Sequence, residues 1–187
     1  GGVNFYARKE IKDLLCYLKT IDNAQDDLAV KRIINVPKRG IGATTIAKVQ
    51  DYADENGMSF YAALRQAEEI STLSKATATK IRPFVTFIQM LRSKLTYISV
   101  EQLMDEIIED TGYVAELDAE GTDEARARIE NIDELISKIV AYEESVEQPT
   151  LSGFLEEVAL IADIDNLEED SDYVVLMTLH SAKGLEF

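Results

Sequence analysis

Cysteine, histidine, proline and glycine are all scarce in this chain of 187 residues. Its one cysteine, Cys16, excludes an internal disulfide, and its one histidine makes a zinc site built from cysteine and histidine implausible. With nine glycines, three prolines and 46% hydrophobic residues, the chain can bury a core and is not a disordered segment. We therefore expect one globular domain, with or without short flanks, from a reducing compartment such as the cytoplasm.

Long apolar runs and the common enzyme motifs are also missing. No stretch approaches the roughly 20 apolar residues that a membrane span needs, and no signal peptide opens the chain. The sequence contains no G-x-x-x-x-G-K-[ST] phosphate loop, no suitably placed Walker B strand, no catalytic Cys/His pairing and no G-x-S-x-G. We therefore predict no catalytic residue, no metal site and no membrane partner for this chain.

The net charge of −16 is unevenly distributed. Residues 1–70 carry ten basic and ten acidic side chains, residues 71–100 carry five basic and none acidic, and residues 101–187 carry four basic and 25 acidic. A phosphate backbone would be repelled by the last part and tolerated by the first two. We expect any contact with nucleic acid before about residue 100, apart from exceptions that motifs indicate, and we interpret the acidic part as solvated helical surface.

Most of the chain shows the i, i+3, i+4, i+7 apolar spacing of helices with one buried face. The clearest stretches are residues 8–21 and 124–144. Further helices are predicted over residues 27–35, 44–55, 59–69, 74–96 (kinked or divided by Pro83), 99–112, 113–117 and 150–161. An acidic loop is predicted at 163–172.

The apolar period changes near the C-terminus. Residues 173–179 (YVVLMTL) have the β-branched, apolar composition of a buried strand, and residues 3–6 (VNFY) offer a second one. Either these two strands pair with each other, or both belong to a sheet that lies mostly outside this chain, which fits better. The predicted fold class is all-α with short strand remnants of an α/β domain at both ends.

Residues 37–45 (PKRGIGATT) place two glycines around one apolar residue just before a predicted helix. Glycines permit positive φ and close approach of the backbone to another surface, and the apolar residue can anchor the turn. An anion is favoured here by the amides and dipole of the following helix, by two cations and by nearby hydroxyls. This pattern predicts a hairpin that holds a DNA phosphate without reading bases, and the alternative is a simple turn between helices. The candidate DNA-binding residues are Lys38, Arg39, Gly40, Ile41, Gly42 and Thr44.

A second polar cluster follows the predicted C-terminal strand in residues 176–187 (LMTLHSAKGLEF). Sheets of α/β proteins bind ligands at the carboxyl ends of their strands, so a ligand site here is one interpretation. Taken singly, His180 would be a hydrogen-bonded histidine and Lys183 a solvated lysine. Both interpretations stay open from the residues alone.

Three segments together resemble the UvrD/PcrA/Rep-type superfamily 1 DNA helicases. Residues 1–13 (GGVNFYARKEIKD) are similar to the family's G-G-x-x-F-x-x-R-x-E-I-K-D segment, and residues 32–42 (RIINVPKRGIG) to its R-x-x-N-x-P-x-R-G-I-G hairpin. Residues 176–187 resemble its motif V, x-L-M-T-x-H-x-A-K-G-L-E-F. Their order and separation match as well, so the resemblance covers nearly the whole chain.

The resemblance implies that the chain is the helical insertion called 2B from a helicase with two RecA-like motor domains. Residues 25–171 would form 2B, and residues 1–24 and 172–187 would be edges of the second motor domain, 2A. The parent would use ATP and Mg²⁺ for 3′-to-5′ unwinding in DNA repair or replication. Its partners would be duplex and single-stranded DNA, the missing motor domains, and repair or replication proteins.

The same resemblance implies roles for individual residues. The hairpin from Lys38 through Gly42, with Thr44, would contact the duplex backbone ahead of the fork. In motif V, Thr178 and His180 would lie by single-stranded DNA, and Gly184 and Glu186 by the nucleotide. The family's phosphate loop, Walker B carboxylates and arginine fingers have no counterpart in this chain, so we expect it alone to bind no cofactor and to be inactive.

Two other functions remain open. The chain could be a free-standing, non-enzymatic DNA-binding module that uses the same hairpin, or an acidic helical domain that binds proteins and no DNA. We favour the helicase interpretation because the sequence stops inside motif V, which neither alternative explains.

Overall fold

The computed structural model describes residues 4–185, with side chains for residues 4–168. Over this range the chain forms nine α-helices, two short 3-10 helices and no strand. None of these helices combines the length and apolar composition needed to cross a membrane. The α-helices are α1 Lys9–Asp22, α2 Asp27–Ile33, α3 Ala43–Glu55, α4 Phe60–Arg65, α5 Lys75–Ser93, α6 Val100–Thr111, α7 Tyr113–Glu120, α8 Asp123–Ser145 and α9 Leu151–Leu185, and the 3-10 helices are Phe5–Ala7 and Ala67–Glu69.

Helix α1 is the central element of the core. It packs against α2, α5, α6, α8 and α9. Its apolar side chains recur at helical spacing, and Ile11, Leu14 and Leu18 are fully buried. Burying one such side chain stabilises the fold by about 1.5–3 kcal/mol, so this helix contributes heavily to stability.

Two carboxylates of α1 are also buried and connect it to three neighbouring helices. Asp13, 2% exposed, accepts hydrogen bonds from Arg32 Nε of α2 at 3.0 Å and from the Tyr113 hydroxyl of α7 at 2.6 Å. Glu10, 4% exposed, accepts one from Asn131 Nδ2 of α8 at 2.9 Å. A buried carboxylate is tolerated when it is paired in this way, so the charged positions of the first motif serve the packing of the helices.

The predicted strand at residues 173–179 is wrong, because this segment lies in α9, as does the acidic stretch 163–172 that was predicted to be a loop. The N-terminal strand is not found either, since Phe5–Ala7 forms a 3-10 helix capped by Asn4, and Val3 lies outside the described residues. A strand must pair its N–H and C=O groups with a neighbouring strand, which the described range does not offer, whereas a helix satisfies them internally. The all-α class is confirmed and the strand remnants are not.

A candidate nucleic-acid interface at the α2–α3 hairpin

The hairpin is the connection between α2 and α3, residues 34–42, and Asn35 organises its backbone. Asn35 Oδ1 accepts hydrogen bonds from the N–H groups of Arg39 at 2.7 Å and Ile41 at 3.3 Å. The Val36–Pro37 peptide bond is cis. Ile41 is 1% exposed, so it anchors the turn in the core as the sequence predicted.

The two hairpin glycines have different roles. Gly40 has a φ of +74°, in the left-handed region that costs other residues about 1–2 kcal/mol, so the turn itself requires a glycine there. Gly42 has a φ of −87° and a ψ of −178°, a conformation open to any residue. Beyond Gly42 and its two neighbours in the chain, no described atom lies within 4 Å of the position that a Cβ on Gly42 would occupy. Gly42 therefore leaves the backbone at the start of α3 open to another molecule.

Arg39 points into the hairpin, towards the end of α2. Its guanidinium donates hydrogen bonds to the carbonyl oxygens of Ile33 at 2.8 Å and Ile34 at 2.9 Å, and to the Tyr17 hydroxyl at 2.6 Å. Its Cζ atom lies 4.9 Å from the centre of the Phe84 ring on α5. The last carbonyls of a helix lack partners within the helix, and the helix dipole favours a cation beside them. Arg39 therefore caps α2 and joins it to α1 and α5.

Tyr17 connects this arginine to the central helix. Its hydroxyl accepts the bond from Arg39 and donates to the carbonyl oxygen of Val36, and its buried ring lies edge-on to Phe87, with the ring centres 6.3 Å apart. Burial raises the pKa of Tyr17 above its ordinary value, and the opposing effect of Arg39 is smaller. The hydroxyl therefore keeps its proton at neutral pH and can serve both partners.

The exposed cations at the hairpin are Lys38, from the hairpin itself, and Lys80, from α5. Lys80 Cδ and Nζ both lie 3.4 Å from the position that a Cβ on Gly40 would occupy. Within residues 4–168, neither lysine forms an ion pair. Sequence reasoning missed Lys80, although the lack of acidic residues in 71–100 was a signal for it.

The first turn of α3 has no capping side chain and no acidic residue. Side chains do cap α2, α4, α5, α6 and α8. Gly42, Ala43 and Thr44 are all exposed, so the start of α3 lies at the surface. Because the positive end of the helix dipole lies there, this turn is suited to an anion.

The hairpin also borders a cavity that carries no excess positive charge. Lys38 lines this cavity together with the buried Glu10 and with Glu116 and Glu120 of α7, and Lys9 and Arg128 are its other charged residues. Three cations thus face three carboxylates. A polyanion gains no net attraction from the cavity itself, so the acid-free start of α3 and α5 are the more favourable contacts.

The remaining candidate residues lie at the end of α9 or beyond it. Thr178, His180 and Gly184 belong to the part of α9 described by its backbone alone, and Glu186 lies outside the described residues. The structure thus brings together Lys38 through Gly42, Thr44 and, in addition, Lys80. The roles of Thr178, His180, Gly184 and Glu186 stay predictions.

Comparison with known proteins gives a consistent family. All of residues 1–187 match the family described as UvrD-like helicase C-terminal domain. The chain is 47% identical over 193 residues to the ATP-dependent DNA helicase PcrA of Bacillus subtilis (strain 168), covering 100% of this chain and 26% of that protein. It is 46% identical over 189 residues to the protein of the same name from Staphylococcus aureus (strain Mu50 / ATCC 700699), with the same coverage. The chain thus spans about a quarter of the length of the curated relatives it matches.

Proposed function

Because the chain belongs to the UvrD-like helicase C-terminal domain family, we propose that it is the 2B insertion, with edges of the 2A motor domain, of an ATP-dependent 3′-to-5′ DNA helicase. Residues 25–171 form 2B in this proposal, and residues 1–24 and 172–187 belong to 2A. The names of the relatives, ATP-dependent DNA helicase PcrA, support the parent activity. In the parent, ATP and Mg²⁺ would be held mainly by parts of the polypeptide outside this chain.

The contribution of this chain is to hold the backbone of duplex DNA at the hairpin. A phosphate would accept hydrogen bonds from the open N–H groups at the start of α3 and from the Thr44 hydroxyl, and Lys38 would neutralise its charge. Gly42 allows the phosphate close to the backbone, while Arg39 and Ile41 hold the hairpin from inside. The observation that carries this proposal is the uncapped, acid-free first turn of α3 beside an exposed lysine. Contacts of this kind do not distinguish bases, so the binding would be independent of sequence.

The C-terminal residues complete the proposal on sequence resemblance alone. Thr178 and His180 would lie by single-stranded DNA, and Gly184 and Glu186 by the nucleotide. Through this segment the duplex-holding insertion would continue directly into the motor that hydrolyses ATP.

A salt titration tests the duplex proposal. The affinity of the chain for two unrelated 20-base-pair duplexes would be measured by fluorescence anisotropy between 25 and 200 mM salt. If two or three phosphates are neutralised, the logarithm of the affinity should fall against the logarithm of the salt concentration with a slope of about −2 to −3, equal for both duplexes.

The substitution Lys38→Glu should weaken binding to both duplexes equally and make the slope shallower by about 1. Arg92→Glu is the matched control, because Arg92 is an exposed cation of α5 away from the hairpin. If Lys38→Glu binds as the Arg92→Glu control does, the hairpin is not the duplex site.

A further inference from the structure

We propose that Lys80 of α5 is a second phosphate-binding cation of the hairpin, so that duplex DNA is held between the hairpin and α5. This inference rests on the proposed function. It adds to the hairpin a residue that lies 40 positions after Gly40 in the sequence. The partner it fits is a polyanionic backbone, and Lys80 and Lys38 would each neutralise one phosphate.

The position of Lys80 against the hairpin is fixed by packing. Ile81, beside it on α5, is fully buried, and Phe84, one helical turn further on, lies under the guanidinium of Arg39. Residues four apart lie on the same face of a helix, so Phe84 and Lys80 lie beside the successive hairpin residues Arg39 and Gly40. Lys80 is therefore held at the turn although the residue as a whole is exposed.

Lys38 and Lys80 lie close enough to contact one stretch of backbone. Lys38 is two residues before Gly40, so the Cα atoms of Lys38 and Gly40 are at most about 7 Å apart. Lys80 Nζ lies 3.4 Å from the position that a Cβ on Gly40 would occupy. Both side chains are long and flexible, so both ammonium groups can reach a single DNA strand that crosses the turn.

Lys80 differs from Arg82 of α5, and from Lys94 just after α5, in having no ion-pair partner among the described side chains. Arg82 pairs with Glu68, and Lys94 pairs with Glu106 at 3.0 Å, a hydrogen bond that raises the pKa of Lys94. Lys80 has no such partner within residues 4–168, and residues 71–100 contain no acidic side chain. A phosphate at Lys80 would therefore meet no competing carboxylate from its own helix.

The test compares two losses of charge on one helix. Lys80→Gln and Arg92→Gln each remove one exposed cation from α5, about 18 Å apart along its axis. The full-length polypeptide would be titrated with a duplex closed by loops at both ends, which offers no free single-stranded end to the motor. Lys80→Gln should weaken binding and make the salt slope shallower by about 1, whereas Arg92→Gln should leave the slope unchanged. Equal effects of the two substitutions would overturn the inference, since only net charge would then matter.

Two further variants, Lys80→Arg and Lys38→Gln, separate a failure of this inference from a failure of the proposed function. Lys80→Arg keeps the charge and should bind as the wild type does, and an unchanged urea midpoint for Lys80→Gln would show that folding is intact. If Lys38→Gln makes the slope shallower and Lys80→Gln does not, the inference fails and the proposed function stands. If neither variant changes the slope, both fail together.

Discussion

Replacing Arg39 by alanine should destabilise the fold. Replacing the adjacent Lys38 by alanine should not. The substitution removes the hydrogen bonds from the guanidinium to the carbonyl oxygens of Ile33 and Ile34 and to the Tyr17 hydroxyl, and the contact with the Phe84 ring. It also leaves the last carbonyls of α2 without a cation. Arg39→Ala therefore tests whether the second basic residue of the hairpin is structural.

The size of the effect follows from these contacts. A hydrogen bond from a charged group contributes about 1.5–3 kcal/mol, and a cation over an aromatic ring about 0.5–2 kcal/mol. Arg39 is half-buried, so water replaces part of what is lost. We therefore expect Arg39→Ala to lower the free energy of unfolding by about 2–4 kcal/mol.

Urea unfolding followed by far-UV circular dichroism measures this change. Lys38→Ala is the control, because Lys38 is exposed and forms no ion pair within residues 4–168, and it should stay within about 0.5 kcal/mol of the wild type. Arg39→Lys keeps the charge but not the planar fork of donors, so it should lie between the two. If Arg39→Ala unfolds within about 0.5 kcal/mol of the wild type, the structural role of Arg39 is refuted.

Two further predictions concern the core. Burial and the hydrogen bond to Asp13 raise the pKa of Tyr113 above 10.0, so the folded state holds this proton more tightly than the unfolded state does. The contribution of the protonated Tyr113 to the free energy of unfolding is therefore complete below about pH 10 and is lost as the pH rises further. The urea midpoint of Tyr113→Phe should then fall less steeply above about pH 10 than that of the wild type. Equal slopes would contradict the assignment. A Cβ on Gly153 of α9 would overlap the hydroxyl of Tyr142 on α8, so Gly153→Ala should cost about 1–3 kcal/mol. Tyr142→Phe removes that hydroxyl and should recover part of the loss, and a cost unchanged in that background would show that the overlap is not the cause.

The sequence predicted the helical body well, because apolar side chains at helical spacing mark buried faces directly. The helix predicted over residues 8–21 is Lys9–Asp22, and the one predicted over 124–144 is Asp123–Ser145. Ser59 and Ser99, which begin two of the predicted ranges, are the N-caps of α4 and α6. Pro83 does not divide α5, which runs from Lys75 to Ser93.

The C-terminal segment shows where local pattern is insufficient. A short β-branched and apolar run suits a buried strand or a buried helix equally, and periodicity cannot separate them. Residues 173–179 become helical here because no described strand can pair with them. The pairing partner, which decides between the two, is a property of the fold and not of the run.

The candidate site divides in the same way. The glycine turn, the anchor Ile41 and the open start of α3 could be predicted, because local spacing determines them. The difference between Lys38 and Arg39 could not, since adjacent cations look alike until Tyr17 and Phe84 are placed around one of them. Lys80 was missed because only the packing of α5 brings it to Gly40.

The most direct test of the duplex-holding claim uses the Lys38→Glu variant of the full-length polypeptide. Its affinity for a junction of duplex and single-stranded DNA would be measured, together with its ATPase activity stimulated by single-stranded DNA. Lys38 lies on an exposed turn, and the proposal places the nucleotide mainly outside this chain. The substitution should therefore lower junction affinity and unwinding together and leave the stimulated ATPase nearly intact. A variant that lost stimulated ATPase as severely as junction binding, or that bound the junction as the wild type does, would contradict the claim that this hairpin holds the duplex.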